Sequence, residues 1–140
     1  MRSCPLTALL VLSVASLACT RGPHKEPQAK SQAKPPLPES VSPGWKLASL
    51  TQSAAPPEVS AVGSPDCWRA NYTGPGATQV WLCRYKDKNG AFDAAQSART
   101  QPQILKFQEG EYFVVVEWSD VSISDLTALV RTIQENLKGK

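Results

Sequence analysis

Apolar side chains recur along the chain in three rhythms. Leu6 to Ala18 is almost continuously apolar, broken only by Thr7, Ser13 and Ser16. From Thr20 to about Pro43 large apolar side chains nearly vanish, and Pro23, Pro27, Pro35, Pro36, Pro38 and Pro43 are scattered among Lys, Gln and Ser. Beyond Asp66 strand-length apolar runs alternate with turn signals, and the chain closes on a stripe of helical period. The pattern divides the chain into a leader over 1–18, a disordered tether over 19–44 and one domain over 45–140.

Within the domain, Cys67 to Thr73 and Thr78 to Lys86 are rich in Trp, Tyr, Val and Leu and flank Gly74-Pro75-Gly76, the pattern of a β-hairpin. A turn centred on Pro75 sets Cys67 directly opposite Cys83, each eight residues from the centre. Opposed positions bring Cβ atoms to about 4.5–5.5 Å, close to what a disulfide needs, so register and cysteine pair predict each other. The bond would close a loop of about 15 residues, worth about 3 kcal/mol in the chain-entropy model.

Asp87-Lys88-Asn89-Gly90 marks a turn, followed by an Ala-rich helix from Ala91 to about Ala98. Asp87, Asn89 and Asp93 have the look of a calcium loop but lack its bidentate Glu, so turn and cap chemistry is the better reading. A second hairpin runs from Ile104 to Phe107, through Gln108-Glu109-Gly110-Glu111, to Tyr112–Trp118. Its Tyr112 to Val116 run is apolar on both faces, as a strand covered above and below requires. Ser122 or Ser124 then caps a helix whose Leu126, Leu129, Val130, Ile133 and Leu137 share one stripe. Residues 45–65 read less clearly: Trp45 to Thr51 suits a short helix or a strand, and Glu58 to Val62 a short strand, with Pro56-Pro57 between. The order β-β-α-β-β-α predicts an α+β domain, an antiparallel sheet of four to five strands with both helices on one face.

Charge narrows the functions. Residues 1–44 hold five Lys/Arg and two Asp/Glu, 5 − 2 = +3, and residues 45–140 hold ten of each, 10 − 10 = 0. The excess lies outside the domain, which argues against a nucleic-acid-binding surface. A domain of about 95 residues buries under about 70% of its unfolded surface, so a covalent staple matters to it.

The leader joins Arg2 to an apolar run of about 13 residues, which spans only about 20 Å as a helix against a hydrocarbon core of about 30 Å. That is a signal peptide, not a membrane anchor. Its end, Ser16-Leu17-Ala18-Cys19, resembles the lipobox of bacterial lipoprotein precursors, in which small residues precede the cysteine that receives diacylglycerol. The resemblance implies a palmitate-bearing lipid anchor at Cys19 and, because Thr20 is not Asp, the periplasmic face of a Gram-negative outer membrane. Ser16 and Ala18 equally suit an ordinary signal peptidase, which would release a secreted protein. At about 3.1 Å per residue in extended form, the tether would hold the domain up to about 70 Å from a lipid surface.

Candidate chemistry is sparse. The single histidine, His24, falls in the tether, and a Cys67–Cys83 bond leaves the domain without a free thiol, so the usual nucleophiles and bases are missing. There is no CxxC, no phosphate loop and no dinucleotide fingerprint. Catalytic residues, metal ligands and cofactors are therefore not expected. Glu109, Glu111, Glu117, Asp120 and Asp125 leave carboxylate chemistry conceivable only if two converge. Arg84, Lys86 and Lys88 alternate, as on one face of a strand, and would suit an anionic polymer or simply guard a sheet edge. Trp68, Trp81, Trp118 and Tyr85 suit either an aromatic platform or the core. The sequon Asn71-Tyr72-Thr73 has meaning only in a eukaryotic secretory pathway.

These residues lead to a non-catalytic envelope lipoprotein, an accessory domain that binds another envelope protein from a flexible tether. The alternative is a binding module for an anionic or carbohydrate envelope ligand through Arg84, Lys86 and Lys88. The expected partners are the membrane, through the lipid, and an envelope protein; nucleic acid and small molecules are not expected.

Overall fold

A computed structural model describes residues 33–56, 59 and 63–139. The leader, Cys19, His24 and the first part of the tether lie outside the described residues, as does most of the strand expected at 58–62. The elements are β1 (Ser40–Val41), β2 (Trp45–Ser53), β3 (Asp66–Thr73), β4 (Ala77–Arg84), α1 (Lys88–Ser97), β5 (Ile104–Glu109), β6 (Tyr112–Ser119) and α2 (Ile123–Lys138). The strands form one antiparallel sheet in the order β1-β2-β3-β4-β6-β5, curled as a half-barrel.

The β-β-α-β-β-α order holds from β3 onward, but the sheet has six strands rather than four or five, because two more precede β3. In β2 the pairing with β3 shifts register between Leu47 and Ser49. That irregularity lets Leu47 and Leu50, three positions apart, both pack on the same core. β1 comes from residues that composition assigns to the tether. Leu37 and Val41 are buried, the Tyr72 hydroxyl donates to the Pro38 carbonyl at 2.7 Å, and the compact unit begins at Ala33. Residues 33–44 are therefore part of the domain. A prolines-and-lysines composition masks two apolar anchors spaced to reach the core.

The two helices also sit differently from expectation: they cover opposite faces of the sheet. On one face Ala70, Tyr72, Val80, Leu82, Val114 and Val116 pack with the α2 stripe Leu126, Leu129, Val130, Ile133 and Leu137. On the other, Cys67, Cys83, Phe113 and Val115 pack with Ala91 and Ala94 of α1. The cause is the alternation in β4 and β6. Both strands carry apolar side chains above and below, and Tyr112 to Val116 is buried throughout, so each face needs its own cover. Burying a side chain of this size contributes about 1.5–3 kcal/mol before ordering entropy is set against it.

Local chemistry starts and stops the helices. The Ser122 side chain accepts from the Asp125 N–H at 3.1 Å, and Asp125 supplies a negative charge to the first turn of α2. The Asp87 carboxylate accepts from the N–H groups of Asn89 and Gly90, both at 3.0 Å, so α1 begins at Lys88, three residues earlier than its Ala run suggests. Gly90 is tolerated there because a Cβ would come within 2.9 Å of the Tyr85 ring. Among the described residues no helix is long and apolar enough to cross a membrane.

Candidate functional site

The cysteine pair stands where the hairpin register puts it. Cys67 pairs with Cys83 across β3 and β4, the two sulfurs are bonded, and both residues are buried beneath α1. Neither is a thiol available for chemistry. Asp87 and Asn89 belong to the α1 cap, and among the described residues no group of three or more His, Cys, Asp or Glu side chains is placed to hold a metal ion.

Arg84, Lys86 and Lys88 do not form one strand face. β4 ends at Arg84, Lys86 lies in the connection and Lys88 opens α1, because Asp87 turns the chain into a helix where continued alternation would be needed. Arg84 and Lys86 share a shallow cleft of about 430 Å³ with Asp66 and Glu111, whereas Lys88 lines a separate one with Glu111 and Tyr112. Arg84 is also engaged: its guanidinium lies 3.4 Å from the Asp66 carboxylate and 5.9 Å from the centre of the Trp68 ring. Two cations and two carboxylates line the first cleft, so its formal charge gives an anion no net preference.

The aromatic platform is likewise dispersed. Trp68 and Tyr85 are buried, on opposite faces of the sheet, and Trp118 packs against the α2 core. Trp68 lies under Arg84 and the segment Ala33 to Pro36, enclosing only about 130 Å³. Trp81, at the margin of the α1 core, and Trp118 are each half-buried, but they belong to opposite faces.

A different constellation is assembled by the register. On the α1 side of the sheet the apolar cluster reaches the rows of Cys67, Cys83, Phe113 and of Val115, with Trp81 at its margin. The second of these rows sets Arg69 opposite Trp81 and Trp81 opposite Val115, and beyond it Ser49, Asn71, Gln79 and Glu117 face one another across β2, β3, β4 and β6. Asn71 Nδ2 donates to Ser49 Oγ at 2.7 Å, and Gln79 Nε2 donates to Asn71 Oδ1 at 2.9 Å. The end of this row is a groove of about 320 Å³. The signal for it was present in the sequence: Asn71 and Gln79, like the cysteines, are equidistant from Pro75. Reading the hairpin only for its apolar and cationic positions passes over them.

Comparison of the chain with protein-family models, with curated proteins and with solved structures found no match.

Proposed function

We propose that the protein is a non-catalytic accessory lipoprotein of the cell envelope, anchored through Cys19 and working by binding another envelope protein along β5. The observation that carries this reading is the outer edge of β5. It closes one end of the sheet, and among the described residues only Gln101 bridges to it, at Ile104. Leu105 to Glu109 thus present backbone donors and acceptors to an incoming strand, with Leu105 exposed beside them while Phe107 packs on the α2-side core. Lys106 donates to the Arg99 carbonyl, a guard of the kind that keeps an edge from pairing indiscriminately.

The anchor fits this role. With the folded unit starting at Ala33, fourteen residue steps separate it from Cys19, a reach of at most about 43 Å at 3.1 Å per residue and shorter than that of a tether ending at residue 44. The outer-membrane periplasmic location follows from the same lipobox reading.

A photo-crosslinking residue at Leu105 of the full chain, activated in intact cells, tests the edge. The expected result is one discrete protein adduct, absent when the same group is placed at Thr127 on the exposed side of α2. No adduct, or the same products from both positions, would refute binding along β5. Metabolic labelling with a fatty-acid analogue tests the anchor, and label that persists in Cys19→Ala would refute it.

A further inference from the structure

We propose that the half of the α1 side of the sheet that no described helix or strand covers is a binding site for a glycan strand bearing acetamido groups. This goes beyond the protein-binding reading of β5 and does not depend on it. The site is the row Ser49, Asn71, Gln79 and Glu117 with Trp81 beside it, four strands contributing side chains to one face.

The row is held in place before any ligand arrives. Ser49 orients the Asn71 amide, and Asn71 orients the Gln79 amide, at 2.7 and 2.9 Å. Each amide has a second N–H, and Gln79 Oε1 takes no part in the relay, so donors and acceptors remain at fixed positions along the groove. Fixing them in advance removes much of the ordering cost of binding.

The chemistry selects the occupant. Protein interfaces centre on several apolar or aromatic anchors, and this face carries one aromatic side chain, Trp81, among Ser49, Arg69, Asn71, Gln79 and Glu117, with Trp118 at the margin of the groove. An anionic polymer would meet the exposed Glu117 carboxylate inside the groove. A sugar ring meets both demands: its apolar C–H face lies on Trp81 while its hydroxyls bond to the polar row. An acetamido substituent offers one carbonyl and one N–H, the complement of the primary amides of Asn71 and Gln79. A groove of about 320 Å³ lies at the Asn71, Gln79 and Glu117 end of the row, and Trp81 sits one row nearer α1, beside it.

The test is titration of the full chain with chitohexaose, six linked N-acetylglucosamine units, followed by calorimetry and by amide chemical shifts. Maltohexaose, which lacks acetamido groups, is the comparison. Saturable binding of chitohexaose is expected, with shifts confined to the strands around Asn71, Gln79, Trp81 and Glu117 and at least tenfold weaker binding of maltohexaose. Gln79→Ala should weaken binding about tenfold, the effect of removing one or two hydrogen bonds. Glu117→Ala, a change at an exposed position, should weaken it as well and serves if the Gln79 variant does not fold. No saturable binding, unchanged affinity in the folded variants, shifts elsewhere, or equal affinity for the two oligomers would overturn the assignment. Failure of the Leu105 crosslink would leave this result untouched, and the converse also holds.

Discussion

The indole N–H of Trp45 donates to the main-chain carbonyl of Asp125 at 3.1 Å, joining the start of β2 to the first turn of α2 across 80 residues of chain. Trp45 is fully buried. Trp45→Phe keeps most of the packing and removes the donor, and should cost about 1 kcal/mol. Trp45→Ala opens a cavity as well and should cost about 3–5 kcal/mol. Urea denaturation of the two variants checks both figures, and near-equal losses would show that the hydrogen bond, not the packing, dominates.

The disulfide is the second test. Cys67 and Cys83 are 16 residues apart in sequence, and removing their bond with the double substitution Cys67→Ala/Cys83→Ala should lower stability by about 3 kcal/mol. The variant should have a lower urea midpoint and yet the same β3–β4 register by amide chemical shifts, since the strand pairing does not need the sulfurs.

Two glycines separate steric from conformational demands. A Cβ at Gly74 would lie 2.6 Å from the Gly44 carbonyl oxygen, backbone that cannot swing aside, so Gly74→Ala should cost about 1–3 kcal/mol. Gly110 has φ +58° and open space around it. There Gly110→Ala should cost about 1 kcal/mol and Gly110→Asn less, because Asn tolerates the left-handed region. Thermal melts of the three variants should rank Gly74→Ala lowest.

Alkaline pH should destabilise the fold. Burial pushes the phenol of Tyr72 well above its ordinary value near 10, and burial raises that of Tyr85 in the same direction. Above about pH 10 the unfolded chain releases protons that the folded chain keeps, so stability is complete below that point and falls as pH rises through it. Urea midpoints measured from pH 8 to 11.5 should fall only in the upper part of the range, and Tyr72→Phe should flatten the fall.

What could be read in advance follows from how local each signal was. The β3–β4 register was legible because a symmetric turn and two cysteines constrained each other, and the α2 stripe because five apolar positions repeated at helical spacing. β2 was ambiguous for a physical reason: its register shift spaces Trp45, Leu47 and Leu50 in a way that matches neither a strand nor a helix. β1 hid among prolines, since Leu37 and Val41 are too few to register as a pattern and acquire meaning only against a core formed far along the chain. The placement of α1 opposite α2 was written in the two-sided apolar character of Tyr112 to Val116, which demands two covers. The cationic triplet failed for a local reason, because the Asp87 cap ended the alternation it relied on. The polar row Asn71–Gln79 was fixed by the same arithmetic as the disulfide.

Because β4 and β6 are sandwiched, each contributes to two cores at once, and neither core can loosen without exposing the reverse side of the same strands. The molecule should therefore open cooperatively rather than in halves. Its slowest-exchanging amides should cluster at Val80 to Leu82 and Val114 to Val116, with protection close to that of global unfolding, while the short strand β1 exchanges far sooner.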